Sequence, residues 1–285
     1  HRDLHSFPTR RSSDHQLVGF IGVGNMGGAI AKGYACAQRE NDKNAGIFLL
    51  DHNPHRLISL VQMGAVICDD VAELLESSDV IMIGVKPNAI ENAIEEIVKA
   101  ETFSKDKVFV SMAAGVTIAR LEQLLGAGAK ICRIMPNTPA MIGAGMISLS
   151  RNSRVSDGEL KEVEHILETL GRVRVVDEGL IHCVIGVSGS SPAYTYMYIE
   201  ALANAAIENG MNPEQALEFA AQSVLGAAKM VLETGVSPEQ LRINVCSPGG
   251  TTIEAVNILE TSDFQGVVKK AFNAAVDKSK KMSGK

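Results

Sequence analysis

The chain has no C-x-x-C pair, no histidine cluster, no long apolar run and no excess of basic charge. Each absence removes a class of protein. Cys36, Cys68, Cys132, Cys183 and Cys246 are odd in number, widely spaced and set among apolar neighbours, the pattern of reduced, mostly buried thiols in a cytoplasmic protein. His52, His55, His165 and His182 are scattered without metal-ligand spacing, and no Ser-His-Asp or Cys-His signature accompanies them. No metal is therefore expected, and no nucleophilic hydrolase is indicated. No apolar run reaches the roughly 18 residues of a transmembrane helix. With 27 Lys and Arg against 33 Asp and Glu the formal charge is −6, which argues against a broad nucleic-acid surface. Residues 1–15 lack an initiating Met, an apolar core and any periodicity. They read as a non-native, disordered leader rather than a secretory signal.

What is present is an ordinary globular composition: 285 residues, 46% hydrophobic, enough for one large domain or two ordinary ones. The organising stretch is Phe20-Ile-Gly-Val-Gly-Asn-Met-Gly27, a G-x-G-x-x-G triplet between an apolar run (17–21) and a helical pattern (29–37). At such a strand-to-helix turn Gly22 permits the bend, Gly24 lets a pyrophosphate approach and Gly27 lets the helix lie close to the strand. The first N–H groups of the helix then hold the phosphates. Residues 46–51 read as a second strand ending in Asp51, and Asn53-Pro54 starts the next helix. Asp51 at that place either accepts hydrogen bonds from an adenine ribose or serves as a helix N-terminal acid. His52, Asn53 and Arg56 could instead cradle a 2′-phosphate, so NADH and NADPH both stay open.

Apolar runs recur at 65–68, 80–85, 108–112, 130–135 and 145–149, alternating with helical stretches at 71–76, 89–100 and 118–125. That alternation predicts a doubly wound parallel sheet covered on both faces. Ligands in such sheets lie beyond the carboxyl ends of the strands. There the chain reads Val85-Lys86-Pro87-Asn88, Ala113-Ala114-Gly115 and Pro136-Asn137-Thr138-Pro139. These loops either wall a flat ring such as nicotinamide or simply end strands. From Asp177 onward the β-branched runs vanish and long helical segments follow, broken at Gly189-Ser-Ser-Pro192, Gly210-Met-Asn-Pro213 and Gly235-Val-Ser-Pro238. Within them 193–207 is apolar on nearly all sides, which predicts a buried helix partly covered by a second subunit. Its Met and Tyr residues read as packing. Cys246-Ser-Pro-Gly-Gly-Thr-Thr252 sets glycines and hydroxyls at a helix start, either a seat for a small carboxylate or a plain Ser/Thr cap.

From about residue 17 to 281 these features resemble the pyrroline-5-carboxylate reductase family. The resemblance rests on the glycine turn, Val85-Lys-Pro87, Arg133-Ile-Met-Pro-Asn-Thr-Pro139, Gly186-Val-Ser-Gly-Ser-Ser-Pro-Ala-Tyr194 and Ser247-Pro-Gly-Gly-Thr-Thr-Ile253. It implies an α/β fold, an N-terminal Rossmann-like sheet domain (16–176) followed by an all-helical dimerisation and substrate domain (177–285). It also implies NADPH or NADH as hydride donor, dimers able to assemble into a larger ring, and a site built from both subunits. Carried over by residue, Ile21, Gly22, Val23, Gly24, Asn25 and Met26 would hold the pyrophosphate. Val85, Lys86 and Pro87, with Ala113, Ala114 and Gly115, would flank the nicotinamide, and Asn244 would reach the cofactor from the second domain. Ser247, Gly250, Thr251 and Thr252 would hold the substrate carboxylate and ring nitrogen, with Thr252 the catalytic contact. Ser237-Pro238 and Ile243 depart from the His-Pro and the acid that the family often shows at those places.

The chemistry so implied needs no strong acid or base, because a protonated cyclic imine is already a good hydride acceptor and positioning does most of the work. A hydroxyacid dehydrogenase of similar plan would need a Lys or His donor in the second domain, where Lys229 is the one mid-domain lysine and lacks a polar constellation. A non-catalytic NAD(P) sensor would have no need of the seat at 247–252.

Overall fold

The computed structural model describes residues 16–40 and 46–284. The leader expected at residues 1–15 lies outside them. The chain divides into two compact units, the second running from His182 to Lys281.

In the first unit the order is β1 (Val18–Ile21), α1 (Asn25–Glu40), β2 (Ile47–Leu50), α2 (Ile58–Val61), β3 (Val66–Ile67), α3 (Val71–Glu76), β4 (Val80–Ile83), α4 (Ile90–Lys99), β5 (Val108–Ser111), α5 (Ile118–Leu125), β6 (Lys130–Met135), β7 (Gly145–Arg151), α6 (Asp157–Glu168) and β8 (Gly171–Val175). The strands form one eight-stranded sheet, ordered β3-β2-β1-β4-β5-β6-β7-β8. Its direction of winding reverses between β1 and β4, which opens a crevice beyond their carboxyl ends. β1, β4 and β5 are buried along their whole length, as expected of strands covered on both faces.

Alternate residues supply two apolar layers. Phe20, Met82, Val110 and Ile134 meet Ile30 and Tyr34 of α1 and Val163 and Ile166 of α6 on one face. Ile81, Ile83, Phe109 and Ile131 meet Leu74 of α3, Ile90, Ile94 and Ile97 of α4 and Leu121 of α5 on the other. The helical spacing 90, 94, 97 aims that stripe at the sheet. α6 starts on a capping box in which Ser156 and Glu159 bond each other's backbone N–H.

The sheet departs from a wholly parallel one at β7, which runs antiparallel to β6. The link between them is a short turn through Thr138–Ile142 rather than a crossover helix, and a parallel return needs a dozen or more residues. β8, parallel to β7, is a strand that the apolar runs did not announce. Of the cysteines only Cys68 and Cys132 are buried, and Cys36 and Cys183 are exposed. The expectation of mostly buried thiols is corrected in that respect.

The second unit is helical: α7 (Ile181–Val184), α8 (Ser191–Glu208), α9 (Pro213–Thr234), α10 (Pro238–Val245), α11 (Thr251–Thr261) and α12 (Phe264–Met282). α8 and α9 meet through small residues, Ala203 against Ala216 and Ala220. α8 was expected to be buried all round, yet in the single chain only Ala203 is. Tyr196, Met197, Tyr198 and Leu202 stand exposed. Among the described residues no helix is long and apolar enough to cross a membrane.

Candidate active site

The glycine triplet folds as its spacing requires. Gly22 has φ +86°, a left-handed conformation that side chains resist. A Cβ on Gly27 would lie 2.7 Å from the Gly22 carbonyl oxygen, so α1 approaches β1 as closely as it does only because that atom is missing. Gly84, just past β4, is under the same constraint, with a Cβ falling 2.4 Å from the same oxygen. A Cβ on Gly24 would meet nothing among the described residues within 4 Å. Gly24 therefore faces open space, and α1 begins at the next residue with first-turn N–H groups that have no intrahelical acceptor. A helix start of that kind suits a pyrophosphate.

The crevice beyond β1 and β4 is a cleft of about 1280 Å³. Ile21, Gly22, Gly24, Asn25 and Met26 line it, with Asp51 at the end of β2 and Val85 and Lys86 after β4. Other expected residues do not line it. Val23 is buried at 2% exposure, and its N–H is committed to Asp51 Oδ2 at 2.6 Å. Ala113 is also 2% exposed, with its N–H on Ser111 Oγ, and Pro87, Ala114 and Gly115 are not on the cleft wall either. Asp51 is more than the ribose acceptor or helix acid that the sequence suggested. Its Oδ1 accepts the Asn53 N–H at 2.8 Å, so its two oxygens tie the glycine turn to the loop after β2. The helical cap there belongs to Asn53, whose Oδ1 accepts the His55 N–H.

Two motif residues that composition could not assign have structural work. Asn137 Oδ1 accepts the Met146 N–H at 2.9 Å, holding the β6–β7 turn. Arg133, 1% exposed, pairs through Nη1 with Glu178 Oε1 at 2.8 Å.

In the second unit Ser247, Gly250, Thr251 and Thr252 gather at the start of α11. The Gly250 N–H closes a turn on the Ser247 carbonyl at 3.0 Å, and Gly249 takes φ +72°. Gly250 is the N-cap and offers no side-chain hydrogen bond, so the hydroxyls of Ser247, Thr251 and Thr252 are not used as the cap. Ser247, Thr251 and Thr252 are exposed. Asn244, on α10, accepts the Gln240 amide at 2.8 Å through Oδ1, and an Arg242–Glu260 ion pair joins α10 to α11. The cofactor candidates other than Asn244 thus lie in the first unit, and the substrate candidates lie in the second.

Residues 17–115 match the family profile described as NADP oxidoreductase, coenzyme F420-dependent. Residues 178–282 match the one described as pyrroline-5-carboxylate reductase dimerisation. The pyrroline-5-carboxylate reductase of Escherichia coli strain K12 is 43% identical over 267 residues, 93% of this chain and 98% of that one. The chain belongs to the pyrroline-5-carboxylate reductase family. Among solved structures, that of the Coxiella burnetii reductase superposes with a TM-score of 0.87 at 35% identity, over 94% of this chain and 98% of the other. The Plasmodium falciparum reductase, solved with NADP bound, gives 0.80 at 30% identity over the same shares. Membership makes the chain an NAD(P)H-dependent oxidoreductase acting on a C=N bond, with a dimerisation domain for self-association.

Proposed function

We propose that the chain reduces 1-pyrroline-5-carboxylate to L-proline, the last step of proline biosynthesis, with the imino acid seated at the start of α11. The observation that carries this is the bare N-cap at Gly250. N–H groups at an uncapped helix start favour a carboxylate, and the neighbouring hydroxyls can orient a ring.

The glycine turn fits a dinucleotide, since a side chain on Gly24 would occupy space that is open. When bound, NAD(P)H supplies the hydride. Ile21, Gly22, Gly24, Asn25 and Met26 would hold the pyrophosphate side, Val85 and Lys86 would flank the nicotinamide side, and Asn244 would reach the cofactor. Val23 contributes by fixing the turn through Asp51. Ser247, Gly250 and Thr251 hold the carboxylate, and Thr252 hydrogen-bonds the ring nitrogen. With its ring nitrogen protonated, the imine carbon would accept that hydride, and the C=N double bond would become the C–N single bond of proline. Positioning alone can supply much of the rate.

The enzyme is read as a cytoplasmic homodimer that assembles further into a ring and takes no nucleic-acid partner. The exposed apolar side chains of α8, with Leu217 and Phe219 on α9, support the subunit contact. The net charge of −6 supports the last point. The test is proline formation from 1-pyrroline-5-carboxylate with each reduced cofactor, beside light scattering for the subunit count. Cofactor oxidation without proline would reject the reaction, and a monomer at assay concentration would reject the assembly.

A further inference from the structure

We infer that Gln240 is a positioning residue for the reduction: it holds Asn244 so that the asparagine turns its amide N–H groups, and not its oxygen, to the nicotinamide half of the cofactor. This rests on the reading above that Asn244 reaches the cofactor. The two residues lie one turn apart on α10, and Gln240 Nε2 donates to Asn244 Oδ1 at 2.8 Å. A primary amide has one acceptor end and one donor end. With its oxygen engaged by Gln240, Asn244 keeps Nδ2 to offer, and Nδ2 has no partner among the described residues. Asn244 is exposed and stands three residues before Ser247, where the seat at 247–252 begins. Direct transfer needs the nicotinamide ring beside the imine carbon. The half of the cofactor that comes to this seat is therefore the nicotinamide half, which carries an acceptor in its carboxamide oxygen.

The start of α10 shows that this bond displaces another. Ser237 caps the helix, its Oγ accepting the Gln240 N–H at 3.2 Å. Gln240 is thus the N3 residue, from which a glutamine ordinarily reaches back to the N-cap backbone N–H and completes a capping box. Glu159 does so at the start of α6. Among the described residues no such box forms at α10, and the Gln240 side chain runs forward to Asn244 instead. The surroundings make the orientation of that amide count. Arg242 pairs with Glu260, which ties α10 to α11 and fixes the backbone from which Asn244 projects. Ile243 and Val245, on either side of it, are apolar and 54% and 62% exposed. Once a ligand excludes water from such a surface, a donor facing an acceptor gains strength and two facing acceptors become costly.

The test is a direct titration of the enzyme with NADPH, followed by the cofactor's fluorescence, beside urea midpoints. The carboxylate of Gln240→Glu can only accept, so it turns the Asn244 amide round, and NADPH affinity is expected to fall about tenfold as a donor is replaced by an unpaired acceptor. Gln240→Lys still donates to Asn244 Oδ1 and should hold affinity within about twofold. Asn244→Asp keeps the Gln240 bond but has no donor left, and should fall as far as Gln240→Glu. Urea midpoints should stay close together, because an exposed pair one turn apart adds little to a helix. Adenosine 5′-diphosphate, which has phosphates but no nicotinamide half, separates orientation from plain charge, and should bind the Glu and Lys variants alike. Equal NADPH affinity in those two variants would overturn the inference, as would adenosine diphosphate affinities that change in step with those for NADPH, or losses that follow the urea midpoint. If 1-pyrroline-5-carboxylate is not turned over while the expected order of NADPH affinities holds, the proposed reaction fails and the positioning role stands. If proline forms and that order is absent, the reaction stands and the role of Gln240 falls.

Discussion

Arg133 and Glu178 are joined by a 2.8 Å ion pair in which the arginine is 1% exposed and the glutamate 29%. The same Glu178 oxygen accepts the Ile118 N–H at 2.8 Å, so one carboxylate closes both a buried cation and the first turn of α5. Arg133 is otherwise poorly served, since Nε and Nη2 have no hydrogen-bond partner among the described residues. The cost of burying that charge is offset mainly at Glu178.

Glu178→Ala is therefore expected to lower folding stability by about 3 kcal/mol, the usual consequence of stranding a buried charge. Arg133→Met should cost clearly less, because it removes the charge instead of orphaning it. Urea midpoints of the two variants decide the matter. A larger loss for Arg133→Met would mean that packing, not charge, is what this contact supplies.

The glycines separate folding from binding. Gly84→Ala places a Cβ 2.4 Å from the Gly22 carbonyl oxygen, and such overpacking costs about 1–3 kcal/mol. Gly24→Ala meets nothing within 4 Å and should cost under about 1 kcal/mol as an N-cap change. Cofactor affinity should behave in the opposite sense, falling at least about tenfold in Gly24→Ala, where a methyl group stands in the phosphate's path. Tm and cofactor titration on the two proteins read both quantities. An intact affinity in Gly24→Ala would move the pyrophosphate elsewhere.

Local grammar made the glycine turn legible: a strand, three glycines and a helix lie within one continuous stretch, and each glycine's geometry follows from its place in the triplet. The strands that are covered on both faces were legible for the same reason, as unbroken apolar runs. β8 was not, because Arg172 and Arg174 interrupt it and only Val173 is buried, the look of an edge strand. Glu178 could not be read at all. Its partners lie 45 and 60 residues away, and nothing local marks it. Asp51 was legible as a residue at the end of β2 beside the cleft but not in its orientation, which depends on a partner 28 residues earlier. The exposure of α8 shows the converse limit: its sequence is written for an assembly larger than one chain.

Two thiols give the fold an alkaline dependence. Burial pushes Cys132 from its ordinary 9.0 up to about 12, with Arg151 lowering it and Glu159 raising it to lesser degrees. Burial also pushes Cys68 to about 12, aided by the charge of Glu73. In the unfolded chain these thiols ionise near 9.0, while in the fold they stay neutral. Stability is whole below that pH and declines as pH rises towards about 12. Urea midpoints measured from about pH 8 to about pH 10.5 should fall, less steeply in Cys132→Ala. Iodoacetamide at neutral pH should label exposed Cys36 and leave Cys68 and Cys132 unmodified. Labelling of Cys132 in the folded state would contradict its burial.

Thr252 tests the chemistry. It lies in the first turn of α11 behind an N-cap that uses no side chain, and it is exposed, so its hydroxyl has no role in holding the helix. Thr252→Ala should leave the urea midpoint in place while kcat/KM for 1-pyrroline-5-carboxylate falls about tenfold to a hundredfold, the loss of one or two hydrogen bonds to the reacting ring. Thr252→Ser keeps the hydroxyl and should recover most of the loss. A fall in kcat with KM little changed places the bond in the transition state, at the nitrogen. A rise in KM alone would assign the hydroxyl to the carboxylate instead. Unaltered kinetics would remove Thr252 from the reaction and leave the seat to the N–H groups that follow Gly250.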